Sequence, residues 1–376
     1  MLRARILRDG PMRFGDFMEM ALYHPTHGYY ARESRQVGRE GDFFTSVSVG
    51  PLFGEILARR FLRAWHEMGS PSRWRIIESG AHDGSLARDV LTAMAHLSTP
   101  AFSGLEYAIP EPLPQLHAAQ RWTLRGLEDR TRLISSTSEL QPNPLPGIAF
   151  GNELLDALPF SVVEWTAGRW REVGVGLGPD NQLAWVANVE ITEPKLVAAL
   201  AVIGSDFPEG YRTEVRTGLG EFLEPLTRCL TDGLMIWLDY GFARPEFYHP
   251  SRFAGTLRTF CKHRAADDPL AAPGEMDITA HVDFTDVAEC AIGLGGRPLS
   301  FRSQGAWLTE QARDWLIAQE GKPTDALRQF QTLTHPAHLG GHFHVIELTW
   351  NKAAPTISAA DLHRLALQAC PAPQVR

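Results

Sequence analysis

The sequence predicts an α/β protein built on an open, doubly wound and mostly parallel sheet. Three observations predict it. Apolar runs of strand length alternate with segments of helical periodicity from Trp74 onward. The first run, Arg75-Ile-Ile-Glu-Ser79, ends in a glycine turn, Gly80-Ala-His-Asp-Gly84, and a helix-patterned segment follows at once. A second run, Leu105 to Ile109, ends beside an acidic residue, Glu111. In open α/β sheets the ligand lies beyond such strand ends. Gly80 and Gly84 let the backbone turn tightly and approach it, and Glu111 is placed to hold a ribose diol.

The elements follow in order. Residues 11–30 read as an amphipathic helix, with Phe14, Phe17, Met18, Ala21 and Leu22 on one face, followed by an aromatic turn ending in Tyr29 and Tyr30. A polar loop leads to a second apolar stripe at Leu52, Phe53, Ile56, Leu57, Phe61 and Trp65. Strands are expected at 74–79, 105–110, 131–135 and 147–152, with helices at 84–96 and 112–126. Residues 161–190 alternate Val, Trp and Gly around the turn Gly178-Pro-Asp-Asn181, an antiparallel hairpin inserted after the fourth strand. A helix over 215–230 and the strand Leu234-Met-Ile-Trp-Leu238 resume the α/β pattern. A long polar loop runs from Asp239-Tyr-Gly241 to Thr279; loops of this length in compact domains carry function or are disordered. A helix over 281–294, a strand near 298–302, further helices and a last strand over 343–349 close the core. The organisation expected is an N-terminal helical extension (1–70), a core (71–352) with insertions at about 160–210 and 241–280, and a peripheral tail (353–376).

With 376 residues, 44% of them hydrophobic, the chain can bury a large core. Its net charge of −8 argues against general nucleic-acid affinity. No apolar run is long enough to span a bilayer, and no Lys/Arg block points to a membrane surface. Cys229, Cys261, Cys290 and Cys370 lack metal-ligand or disulfide-scaffold spacing, which fits a reducing cytoplasm. The helical pattern beginning near Phe14 leaves no room for a transit peptide. Self-association into a homo-oligomer is left open.

The glycine turn is not a pyrophosphate site. The dinucleotide fingerprint needs three glycines, whereas Ala81, His82 and Asp83 fill the middle of this turn, and Glu78 precedes it. Two carboxylates beside a glycine turn suit a ligand with cationic groups and a ribose. S-adenosyl-L-methionine, with an ammonium, a sulfonium and a ribose, fits better than NAD or ATP.

The fourth strand ends in Gly151-Asn-Glu-Leu-Leu-Asp-Ala-Leu-Pro159. Asn152 and Glu153 there could accept hydrogen bonds from a nitrogen nucleophile and aim its lone pair at a methyl group. They could equally cap a helix and sit in its first turn. Asp156 reads as structural, bonding to loop backbone. Gly41-Asp-Phe-Phe-Thr-Ser46 could fold over a cofactor, with Asp42 and Thr45 as contacts; the alternative is a helix entry capped by Thr45 or Ser46. In the long loop, Arg258, His263, His281 and Asp283 could converge, while Thr279 reads as a helix cap. His335, His338, His342 and His344 cluster without a carboxylate or Cys beside them, and an exposed strand face is favoured over a metal site.

Taken together, the motifs resemble one family. They are Phe14-x-Asp-Phe-Met-x-x-Ala-Leu-Tyr-His-Pro-x-x-Gly-Tyr-Tyr30, Gly41-Asp-Phe-x-Thr-Ser46, Glu78-x-Gly80-x-x-x-Gly84-Ser-Leu86, Asn152-Glu-x-x-Asp-Ala-Leu-Pro159, Asp239-Tyr-Gly241, Gly255-Thr-Leu-Arg258 and Asp277-x-Thr-Ala-His-Val-Asp-Phe284. They are similar to the signatures of the MidA-type S-adenosylmethionine-dependent methyltransferases, which include a mitochondrial complex I assembly factor. The resemblance implies a class I methyltransferase fold with a seven-stranded sheet and, for mitochondrial members, methylation of arginine nitrogens in a protein substrate. It supports Glu78, Gly80, Gly84 and Glu111 as cofactor contacts, and Asn152 with Glu153 as the active-site edge; Ala81 in the turn and Asn152 are further candidate cofactor contacts. His281 is a candidate base for the departing proton. The sequence departs from the family at two places: His82 replaces a glycine of the turn, and Ser48 stands where a carboxylate is usual. The second departure favours a rival reading, a cofactor-binding assembly factor without transfer activity.

Overall fold

A computed structural model describes residues 1–31, 45–261, 264–266, 268–319 and 324–351, together with Leu362, Leu365 and Leu367. Seven strands form the central sheet: β1 (Trp74–Ser79), β2 (Leu105–Pro110), β3 (Thr131–Ile134), β4 (Leu145–Asn152), β5 (Leu230–Phe242), β6 (Gly296–Ser303) and β7 (Phe343–Asn351). Their order is β3-β2-β1-β4-β5-β7-β6. The pairs from β3 to β5 are parallel, and β7 runs antiparallel between β5 and β6.

Strands covered on both faces read as nearly continuous apolar runs, which is why β1 and β5 stand out in the sequence. Successive residues still point to opposite layers. Ile76, Ile148, Phe150 and Ile236 enter one core with the helices Leu52–Glu67, Ser85–Leu97 and Gln304–Gln311. Ile77, Ala149, Met235 and Trp237 enter the other with the helices Leu219–Thr227 and Phe284–Gly293. At the opening edge of the sheet, buried Arg75 ties strands together, with Nε 2.7 Å from Glu106 and Nη1 donating to the Asn143 and Cys229 carbonyls.

The insertion after β4 is a sheet of its own. Strands Ser161–Thr166, Arg169–Leu177, Leu183–Val189 and Arg212–Val215 pair antiparallel, and the short strand Met12–Arg13 joins them beside Val175 and Gly174. The helices Leu2–Asp9 and Phe14–Tyr23 bury their apolar faces here, with Phe160, Val162, Val173 and Val175. The stretch before residue 70 therefore splits between two cores: its first helices pack on the inserted sheet and Leu52–Glu67 packs on the main one.

Several sequence expectations change. The long loop after β5 is not structureless: strands Arg258–Cys261, Arg264–Ala266 and Asp277–Thr279 form a small antiparallel sheet, and Val282–Asp283 pairs in parallel beside Gly241 and Phe242 at the end of β5. Thr279 pairs with Arg258 there and caps no helix; Asp283 does, accepting from the Thr285 N–H at 3.0 Å. The tail is not wholly peripheral, since Leu367 is fully buried in the second core. His342 ends the helix Leu339–His342, whereas His344 lies on β7 with its ring stacked on Phe301, so the two do not share a strand face. Among the described residues, no helix is long and apolar enough to cross a membrane.

Candidate active site

The site forms where β1, β2, β4 and β5 end. Glu78, the penultimate residue of β1, is 3% exposed and accepts a 2.6 Å hydrogen bond from the Tyr107 hydroxyl. Burial pushes its carboxyl from 4.5 up to about 8. The chain then turns at Gly80 with φ +75°; a Cβ there would stand 3.0 Å from Leu154 Cδ1, in the turn that follows β4. Glycine at this position thus allows the two turns to press together. Ala81 is buried, His82 is left-handed at φ +46°, and Gly84 at φ +83° opens the helix Ser85–Leu97. Asp83 accepts from the Ser85 N–H and hydroxyl, both at 3.0 Å. This charge is therefore committed to the helix start.

Glu111 follows β2 and is buried; its Oε1 accepts from the Leu113 N–H at 2.8 Å, and burial raises its pKa. Fully buried Gln120 donates to the His82 carbonyl at 2.9 Å, while its Oε1 has no partner among the described residues. It ties the glycine turn to the helix after β2, a link that no periodicity or motif signals.

At the end of β4, Asn152 Nδ2 donates to Glu153 Oε1 at 3.0 Å, and Asn152 Oδ1 is buried without a partner among the described residues. Glu153 is left-handed at φ +53°, a conformation disfavoured for a side chain with a Cβ, and its N–H donates to the Leu238 carbonyl at 2.9 Å. Burial raises its carboxyl to about 8, against the opposing hydrogen bonds from Asn152 and the Ser46 backbone. The helix-cap reading of this pair fails, because a 3-10 turn, Leu155–Ala157, follows instead of an α-helix. Asp239 serves that turn: Oδ2 accepts from the Leu154, Leu155 and Asp156 N–H groups at 3.0, 2.7 and 3.2 Å. The role expected of the Asp156 side chain, bonding to loop backbone, thus belongs to Asp239.

Thr45 is the N-cap of the short helix Ser46–Val49, with Thr45 and Ser48 in a reciprocal capping box. Its hydroxyl is occupied by the Ser48 N–H, and Ser48 Oγ turns back to the Thr45 carbonyl. Asp42 and His263 lie outside the described residues. His281 stacks on Tyr240, with ring centres 6.2 Å apart, and its Nδ1 is buried without a partner among the described residues. Burial, followed by Arg252, Arg258 and Arg216, lowers its pKa to about 4. It is a neutral imidazole at pH 7, too weak a base to hold a departing proton there.

The acceptors gathered here are carboxylates and an unpartnered amide oxygen, beside a glycine-permitted close approach. That chemistry fits a cationic ligand bearing a ribose. The fold is that of the class I S-adenosylmethionine-dependent methyltransferases. Residues 56–300 match the family described as "Putative S-adenosyl-L-methionine-dependent methyltransferase", and the chain belongs to that family, whose cofactor is S-adenosylmethionine. A COG1565 superfamily member from Burkholderia thailandensis, solved bound to S-adenosyl-homocysteine, is 34% identical with a TM-score of 0.83 over 93% of this chain and 90% of that one. The Drosophila melanogaster homolog of the mitochondrial protein arginine methyltransferase NDUFAF7 is 28% identical over 96% of this chain and 86% of its own length. The human NDUFAF7 protein is 28% identical over 78% of this chain and 68% of its length.

Proposed function

We propose that the protein transfers a methyl group from S-adenosylmethionine to a nitrogen of a protein substrate, an arginine guanidinium. The observation that carries this reading is the Asn152–Glu153 turn. A strained Glu153 backbone and an unpartnered Asn152 oxygen immediately precede Leu154, the residue that packs against the Gly80 turn. Strain of this kind persists where the surrounding fold over-determines a functional geometry. The arginine assignment is supported by the names of the mitochondrial relatives.

In this reading Glu111 holds the ribose, Glu78 and Asn152 Oδ1 face the cationic methionine end, and Gly80, Ala81 and Gly84 line the backbone approach. The bound cofactor supplies a methyl carbon on a sulfonium. A substrate nitrogen forms the new C–N bond with its lone pair as the C–S bond breaks, its electrons staying on sulfur, and the nitrogen gives up one proton. Glu153 orients the nucleophile; burial raises its carboxyl to about 8, so it carries a proton at pH 7 until a cationic nucleophile beside it favours the ionised form, which can then take the departing proton. Most of the acceleration comes from holding nucleophile and methyl in near-attack geometry.

A second reading, a cofactor-binding assembly factor without transfer, is favoured by Ser48, whose hydroxyl is folded into a helix cap where the family resemblance has a carboxylate. Labelled cofactor incubated with proteins of a host-cell extract separates the two. Transfer by the wild type and its loss in Glu153→Gln, with cofactor binding retained, is expected. Equal labelling by both proteins rules out the role of Glu153, and no labelling by either selects the assembly-factor reading.

A further inference from the structure

The inserted sheet reaches the active-site edge through one buried cation. Arg216 directly follows the strand Arg212–Val215 and is 8% exposed. Its Nη2 donates to the Asp156 carbonyl at 2.7 Å and to the Ala280 carbonyl, and its Nη1 donates to the His281 carbonyl. The guanidinium carbon lies 5.1 Å from the centre of the Phe160 ring. The three carbonyls belong to two segments, the turn after β4 and the stretch between Asp277–Thr279 and Val282–Asp283. These segments also meet directly, since the Ala280 N–H donates to the Asp156 carbonyl at 3.2 Å. Buried Glu214, two residues earlier, accepts from the Thr256 N–H and hydroxyl, both at 2.9 Å, and the Thr256 oxygen accepts from the His281 N–H at 3.0 Å. The His281 main chain is thus held at its N–H through Thr256 and at its carbonyl by Arg216. A buried cation is costly unless its surroundings supply acceptors, and here main-chain carbonyls supply them.

We propose that Arg216 is a positioning residue for methyl transfer, holding the turn that follows Glu153 in register with the Ala280–His281 segment. The proposal rests on the transfer reading above. The turn is gripped from two sides. Asp239, an anion from β5, takes the N–H groups of Leu154, Leu155 and Asp156; Arg216, a cation from the inserted sheet, takes the Asp156 carbonyl. Glu153 immediately precedes the gripped residues, with its φ of +53°. A residue with a Cβ keeps such a conformation only where its surroundings over-determine it. Without the carbonyl grip the turn is fixed on its N–H side alone, and Glu153 is free to relax towards ordinary backbone angles. The same loss frees the His281 carbonyl, and with it the ring that stacks on Tyr240. Arginine suits this task better than lysine, because its planar fork donates in several fixed directions at once.

The test compares the full chain with Arg216→Met and Arg216→Lys. Transfer from labelled S-adenosylmethionine into host-cell extract proteins is expressed per S-adenosylhomocysteine-binding site, so that unfolded protein does not count. Arg216→Met should lower kcat by about ten- to a hundredfold, the scale of a misplaced reacting group, while KM for the cofactor and S-adenosylhomocysteine affinity stay within about twofold. Arg216→Lys should recover part of the loss. Hydrogen exchange of the proteins loaded with S-adenosylhomocysteine should quicken at the Leu155, Asp156 and Ala280 amides in Arg216→Met, and less so in Arg216→Lys. A role confined to stability predicts fewer binding sites with normal turnover at each, and that result overturns the proposal. If Arg216→Met does not fold, Arg216→Lys decides, and turnover and exchange equal to those of the wild type overturn the proposal. No transfer by the wild type sinks the methyltransferase reading; exchange alone then decides the positioning, and unchanged exchange overturns it.

Discussion

Replacing Glu78 by Gln isolates what burial does to the cofactor end of the site. The carboxyl moves from 4.5 in the unfolded chain to about 8 in the fold, chiefly through desolvation. A folded pKa raised above the unfolded one means that folding takes up a proton between these values. Stability is therefore fully present below pH 4.5 and falls as pH rises towards 8, by roughly 1.4 kcal/mol per pH unit. Between pH 6 and pH 9 this group alone removes about 3 kcal/mol, and the loss levels off above that. The Glu78→Gln side chain would keep an acceptor for the Tyr107 hydroxyl and never ionise. Glu153, Asp239 and Asp286 are also raised, but they are common to both proteins and cancel. Urea unfolding of the apo proteins at pH 6, 7, 8 and 9 is the assay. The stability of the variant relative to the wild type should rise by about 3 kcal/mol from pH 6 to pH 9. A difference that does not change with pH would refute the reasoning. Cofactor binding gives a second readout: a cation settling beside Glu78 favours its ionised form, so calorimetry in buffers of different ionisation enthalpy should show proton release by the wild type that is smaller in the variant.

Two further outcomes follow from the turns. Gly80→Ala should destabilise the protein by about 1–2 kcal/mol through its left-handed backbone and should weaken cofactor binding, because the new Cβ at 3.0 Å pushes Leu154 and the turn behind it; calorimetry with S-adenosylhomocysteine checks this, and unchanged affinity would uncouple the two turns. Asp239→Asn should cost about 1–3 kcal/mol in denaturant unfolding, since an amide group cannot accept from three N–H groups at one oxygen and a fourth, from Tyr240, at the other.

The fold was legible where burial is two-sided. β1, β4 and β5 read as apolar runs because helices cover both faces, and the Gly80 and Gly84 turn was legible because only glycine adopts those angles without strain. The strands at Arg258–Cys261 and Asp277–Thr279 were not, because they are short and polar and owe their pairing to each other across residues far apart in sequence. Within the site, Asn152 and Glu153 could be placed from strand order alone. Asp156 reads in the sequence as the acid that bonds loop backbone, but Asp239, inside the neighbouring strand, does so, because the direction of a side chain and not its place in the sequence decides which acid meets the turn. The convergence of Tyr30 on Asp277 joins two chain segments that no periodicity links.

The pairing of Met12 and Arg13 with Val175 and Gly174 also sets a timetable for the chain as it is made. About 160 residues must be synthesised after the first strand before its partner exists, roughly ten to thirty seconds at ordinary elongation rates. Throughout that interval Phe14, Phe17, Met18 and Leu22, all completely buried at the end, have no core to enter. These helices are therefore made long before their partners and are among the last to find their place. A nascent chain of this protein presents an apolar face to chaperones, or to a neighbouring nascent chain, until the inserted sheet has left the ribosome.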